Sequence, residues 1–181
     1  AVPAYASDKT VYIETVDDLI ELAENCTLDS WSRDVTVILK NNINVKGSSF
    51  TQIPTFGGTF EGNGYTVSGI DIKANEPVQG FFRYIQEGGT VNDLTVKGDI
   101  TEDTGKTTFG GVVGVNKGSV INCSFYGDID GETSIGGIAG INETGGLLSA
   151  HGLFKLLISA CYYYGIVDVG AHLNGAYNKV A

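Results

Sequence analysis

Apolar positions along this chain follow two rhythms. Between Ile13 and Cys26 they recur at helical spacing, with Val16, Leu19, Ile20, Leu22 and Ala23 on one stripe. Thr15 stands where an N-cap is needed, Asp18 follows three residues on, and the first turn is acidic. The spacing predicts one amphipathic helix over 13–26. From Val35 the rhythm shortens to two. Val35, Val37 and Leu39 alternate with Thr36, Ile38 and Lys40, and Ile43 and Val45 prolong the run. That alternation predicts a strand over 35–45. Over 50–73, short β-branched runs are broken by glycines. Gly62-Asn63-Gly64 predicts a tight turn, because these residues tolerate positive φ.

The short strands also repeat. Val67-Ser68-Gly69-Ile70-Asp71-Ile72 resembles Val91-Asn92-Asp93-Leu94-Thr95-Val96 at an offset of 24. Asp93 to Ile100 resembles Asn122 to Ile129 at an offset of 29, with Gly-Asp-Ile identical in both. Ala160 to Val167 matches again 38 further on. A second unit precedes these: Phe109 to Asn116 matches Ile135 to Asn142 at an offset of 26, and Gln79 to Phe82 is a weaker copy.

Such a period, holding two or three strands of about four residues, fits one solenoid turn. The expected architecture is all-β: a right-handed, single-stranded parallel β-helix with an N-terminal capping helix. Equivalent residues then stack about 4.8 Å apart. Three inward columns are expected: Val67, Val91 and Val120; Ile70, Leu94, Cys123 and Cys161; Ile72, Val96, Phe125 and Tyr163. Cys123 and Cys161 fit such a column as small hydrophobes, or as a disulfide between adjacent coils. Asn116 and Asn142 are expected as corner residues of left-handed φ. The helix over 13–26 is expected to cover the N-terminal opening, where strand edges would otherwise lie bare.

The stretch GGVVGVNKGSVINCSFYGDI, residues 110–129, and GGIAGIN, residues 136–142, are similar to the GLUG motif, a glycine-rich unit of bacterial surface proteins and of the non-catalytic part of immunoglobulin A proteases. The lead-in "TFEGNGYTVSGI" is similar to the segment that precedes such arrays, so the resemblance covers roughly residues 10–146. It implies an extracellular β-solenoid without activity of its own, and it brings no catalytic residues. The departure is 147–181, where LLSAHGLFKLLISA (147–160) replaces a compact return to the Asn-Cys strand. That apolar insert reads as a cap or core segment, with a membrane- or partner-binding segment as the alternative. The expected division is therefore 1–10 as a signal-peptide remnant or flexible terminus, and 11–181 as one β-helix domain. Within that domain 13–26 is the cap, 35–146 the coils, and 147–181 an atypical insert with the last coil.

Composition narrows the picture. The chain has 181 residues with 26 glycines and three prolines, which excludes collagen and disordered linkers. Its 21 acidic and 11 basic residues give a formal charge of −10, with no basic run. That argues against nucleic acid and against anionic membranes as partners. No stretch reaches the roughly 18 apolar residues of a membrane span. The three cysteines, Cys26, Cys123 and Cys161, form no CxxC pair. Ala4-Tyr5-Ala6 followed by polar residues resembles the tail of an export signal. The location expected is secreted or on a bacterial cell surface.

Motifs that carry chemistry are few. His151 and His172 stand alone, and no nucleophile elbow, HExxH or phosphate loop appears. Asp99, Glu102 and Asp103 recur one coil later as Asp128, Asp130 and Glu132, either an acidic patch suited to calcium or solvated turns. No enzyme activity, cofactor or metal is expected. Tyr162, Tyr163 and Tyr164 are consecutive, so at least one faces outward. Tyr126, Tyr162 and Tyr164 are the candidate ligand-binding residues, an aromatic strip for sugar rings or a protein partner. The expected function is a surface structural or adhesive module that meets a host or cell-surface protein or glycan. The alternatives are a carbohydrate-binding (less readily carbohydrate-cleaving) β-helix and a self-assembly module using its uncapped end.

Overall fold

A computed structural model describes residues 9–74, 76–102, 108–131, 134–150, 155–158 and 166–168. The strands stack in parallel as a β-solenoid of about five turns, with one short helix as its cap. Each full turn visits four faces in the order A, B, D, C. Face A stacks β1 (Lys9–Ile13), β2 (Val35–Leu39), β5 (Thr59–Glu61), β9 (Thr90–Asn92), β13 (Ser119–Tyr126), β17 (Leu147–Ala150) and β19 (Ile166–Asp168). Face B stacks β3 (Ile43–Asn44), β6 (Thr66–Ala74), β10 (Thr95–Glu102), the end of β13 with β14 (Asp128–Gly131), and β18 (Lys155–Ile158). Face D stacks β7 (Val78–Gln79), β11 (Thr108–Gly110) and β15 (Ser134–Gly136). Face C stacks β4 (Ile53–Phe56), β8 (Phe82–Ile85), β12 (Val113–Asn116) and β16 (Ala139–Asn142).

The helix is shorter than the spacing predicts. Ile13 belongs to β1, and α1 runs Val16–Asn25. Thr15 fixes its start through a capping box: the Asp18 amide donates to Thr15 Oγ1 at 3.2 Å, and the Thr15 amide donates to Asp18 Oδ2 at 2.8 Å. The Glu14 amide, donating to Asp18 Oδ2 at 2.9 Å, and then the Thr15 hydroxyl and amide hold the Asp18 carboxyl below its ordinary pKa. Leu19 and Leu22 are fully buried on the core, and Cys26 follows at the C-cap. The helix packs on β1 and on β4, the first strand of face C, and so closes the N-terminal opening. The expected single strand over 35–45 is two strands, β2 and β3, since the chain turns from face A to face B between them.

Register corrects the expected columns. Val91 does stack on Val120, and Phe60 lies beneath them. Val67 stacks instead under Val96, which itself lies under Phe125. Ile72 stacks under Ile100, and Ile100 under Ile129. The offset of 24 thus compared a strand of face B with a strand of face A. Both faces need an inward β-branched residue every second position, so the pattern recurs more than once per coil. The true step from Val67 to Val96 is 29 residues. Above Cys123 stands Ala150, in register, and Cys123 is a free thiol. Cys161 and Tyr163 lie outside the described residues. Within the expected insert, β17 and β18 are strands that continue faces A and B.

The repeated glycines and asparagines have structural work. Faces D and C double back with their backbones in contact. A Cβ on Gly110 would lie 1.9 Å from the Val113 carbonyl oxygen, and one on Gly136 would lie 1.8 Å from that of Ala139. A Cβ on Gly111 would lie 2.2 Å from Cγ of Phe125, which reaches across from face B. No side chain fits at such distances.

Asn116 and Asn142 are not left-handed corner residues. They end strands β12 and β16, fully buried, as a ladder. Asn116 Nδ2 donates to Asn142 Oδ1 at 2.7 Å, and the Gly118 amide donates to Asn116 Oδ1 at 3.1 Å. Asn142 Nδ2 donates to the Gly146 carbonyl at 2.9 Å. Each amide therefore replaces the hydrogen bonds that the chain loses as it leaves face C. The left-handed corner lies between faces A and B instead, at Asn63, Asp93 and Asn122. Asn122 Nδ2 donates to Asp93 Oδ1, and the residue after each of these last two, Leu94 and Cys123, turns into the core. The expected tight turn at Gly62–Gly64 is present, with Asn63 and Gly64 both at positive φ.

Candidate functional site

The sequence singles out Tyr126, Tyr162 and Tyr164. Tyr126 ends β13 and is 41% exposed, but its ring face is covered. Lys97, its register neighbour one coil earlier, places Nζ 5.4 Å from the ring centroid. Tyr162 and Tyr164 lie outside the described residues, as do His151 and His172. Of the acidic turns, Asp99 and Asp128 are exposed on face B, where the Asp128 amide donates to Asp99 Oδ1 at 3.0 Å. No group of three metal-ligating side chains forms among the described residues. Asp103 and Glu132 lie outside them. No described helix is long and apolar enough to cross a membrane.

Both described thiols are sealed in the core. Burial pushes Cys26 up to about 12, and it does the same to Cys123 against the pull of backbone hydrogen bonds from Leu94 and Ile121. A thiol so far from its thiolate form is neither a nucleophile nor a ready metal ligand at neutral pH.

A groove of about 780 Å³ lies on face C beside the capping segment. Its floor comes from β4 and β8 through Pro54, Thr55 and Tyr84, and from the turn after β8 through Gln86 and Glu87. Lys117, just past β12, extends it to a third coil. Its wall is the segment after α1, with Thr27, Asp29 and Arg33. The capping element therefore supplies one side of the groove and the stacked coils the other.

Gln86 ties these parts together. Its Nε2 donates to the Asp29 carbonyl at 2.9 Å and to Thr55 Oγ1 at 3.0 Å, and its Oε1 accepts from Arg33 Nε at 3.4 Å. Gly57 makes room for this hub, since a Cβ there would lie 2.5 Å from Gln86 Oε1 and 3.3 Å from Arg33 Cγ. Arg83 pairs with Glu76 at 3.0 Å and packs its guanidinium 5.5 Å from the Tyr84 ring centroid. Lys117 pairs with Glu143 at 3.3 Å. Arg33 is exposed and has no carboxylate partner among the described residues.

Sequence reasoning does not find this groove. The available signal is that Arg33 and Arg83 are the only arginines of an acidic chain. Their meeting place depends on the coil register, because Arg33 and Gln86 are 53 positions apart. The groove can hold an anionic group by charge and hydroxyl groups by its amide and carboxylate acceptors, and it contains no paired nucleophile and base. No protein-family model, curated protein or solved structure matches the chain.

Proposed function

We propose that this chain is an extracellular or cell-surface module of the GLUG kind, structural or adhesive, without catalytic activity of its own. One observation carries the reading: the repeated residues are consumed by the scaffold. The paired glycines permit two strand backbones to touch, the buried asparagines close the chain ends of face C, and Asn122-Cys123 turns the corner into face B. A motif spent on stacking propagates a rod and leaves the outward positions free to vary. Outward positions and turns are then the places where a module of this type makes contact.

The test is protease shaving of intact cells of the source organism, read with an antibody against residues 35–146. Loss of the signal while a cytosolic marker survives is the expected result. Confinement of the protein to the cytosol would overturn the surface reading. The non-catalytic part is tested separately: release of reducing ends or unsaturated products from a panel of polysaccharides would overturn it.

A further inference from the structure

We infer that the groove beside the capping segment is a binding site for a short carboxylated oligosaccharide, a uronate-type sugar acid. The inference rests on the surface-module reading for its setting and on the groove for its chemistry. In a chain of net charge −10, both arginines and one lysine line this single concavity. Arg83 and Lys117 already pair with Glu76 and Glu143, so Arg33 is the cation of this groove left to take an anion.

The kind of anion follows from what else lines the groove. Arg33, whose Nε–H is held by Gln86, has no carboxylate partner among the described residues and leaves its two Nη groups as a fork of the geometry that takes a carboxylate through two parallel bonds. Arg83 keeps a buried Nε–H without an acceptor among the described residues, although its other arm holds Glu76. Asp29 and Glu87 stand in the same groove as pure acceptors. They repel a polyphosphate or a heavily sulfated chain, but they accept hydrogen bonds from sugar hydroxyls. Thr55 and Gln86 add a hydroxyl and an amide. A ligand with one carboxylate per unit and several hydroxyls satisfies both signs of charge at once. The floor crosses three stacked coils, about 10 Å, which suits a short oligosaccharide.

Gln86 is the positioning residue. It fixes Arg33 against the floor and holds the Asp29 segment in place without itself carrying charge. Gly57 acts one step further back by leaving space for that amide.

The experiment titrates the purified chain with trigalacturonate by calorimetry and by NMR shift mapping, with the fully methyl-esterified trisaccharide as neutral control. Binding of trigalacturonate that weakens with added salt, and at least about tenfold weaker binding of the ester, are expected. Arg33→Gln should lose about tenfold or more in affinity with unchanged melting, and Arg83→Gln should lose a similar factor. Gly57→Ala should weaken binding while both arginines remain. Lys73→Gln, on face B, removes the same charge elsewhere and should leave affinity unchanged. Absence of trigalacturonate binding, equal affinity for the ester, or wild-type affinity in Arg33→Gln each overturns the proposal. None of these results bears on the shaving experiment, so the groove and the surface location fail independently.

Discussion

The first coils and the later coils reach the same architecture by different means. Between Phe50 and Phe82 the core is a cluster of rings. Phe60 meets Phe82 at 5.4 Å and Phe81 at 6.4 Å, Phe56 meets Phe82 at 5.5 Å, and Phe81 meets Phe82 at 5.0 Å. Glycines in close backbone contact occur in both regions, Gly58 and Gly62 among them, but between Gly110 and Gly146 a buried asparagine ladder is added. Ring volume is concentrated in the first region, whereas buried side-chain hydrogen bonding is concentrated in the second. A ring cluster tolerates drift in sequence as long as the volume is kept. An amide ladder tolerates almost none, and this is why the repeat is clearest in the later coils.

Substitutions can break that contrast. Phe82→Ala should cost about 3–5 kcal/mol in urea unfolding, because it empties the centre of the ring cluster. Phe82→Leu should recover much of that loss. Asn116→Ala should cost on the order of 3 kcal/mol, since it strands the Gly118 amide and Asn142 Oδ1. Asn116→Asp sharpens the point. At pH 7 its carboxylate would face the acceptors Asn142 Oδ1 and the carbonyls of Gly118 and Leu147. Its pKa should rise, so the variant should gain stability relative to wild type on acidification, where the neutral acid can donate. Gly111→Ala should cost about 2–3 kcal/mol, because its methyl meets the Phe125 ring. If the first-coil volume swap and the later-coil asparagine changes cost alike, the contrast between the regions is wrong.

Smaller effects concern the cap. Thr15→Ala should cost about 1 kcal/mol by removing the N-terminal acceptor of α1. The folded pKa of Asp18 lies below its ordinary value of 3.8. Its contribution is therefore present above that value and fades as pH falls through the folded pKa. The Thr15→Ala deficit should shrink correspondingly below pH 4, read by denaturant midpoints across pH. The thiols titrate with the opposite sign. Cys26 and Cys123 lie near 12 in the fold against 9.0 ordinarily, so their contribution is full below pH 9 and declines as pH rises toward 12. Neither should react with Ellman's reagent in the native state at pH 8. Should Cys26 react well before Cys123, the cap opens independently of the coils.

What could be read in the chain ahead of its structure is uneven. The helix and its cap follow from Thr15, Asp18 and the stripe ending at Ala23, all within nine residues. The stacked parallel architecture follows from the repeats at 110–146. The coil register of the earlier half does not, because Val67 and Val91 carry the same local pattern on different faces. The groove is less legible still. Arg33, Thr55, Arg83 and Gln86 belong to no common motif, and each taken alone is an ordinary surface or strand residue.

By itself, the order of residues determined the strand rhythm, the capping helix and the existence of a coil. Each of these is a local periodicity that needs no distant partner to be recognised. Only the tertiary structure decided which strand lies above which, that Asn116 and Asn142 are buried donors instead of corners, and that two arginines share one groove. Those outcomes depend on turn lengths accumulated over whole coils, where a difference of a few residues moves a side chain from one face to another.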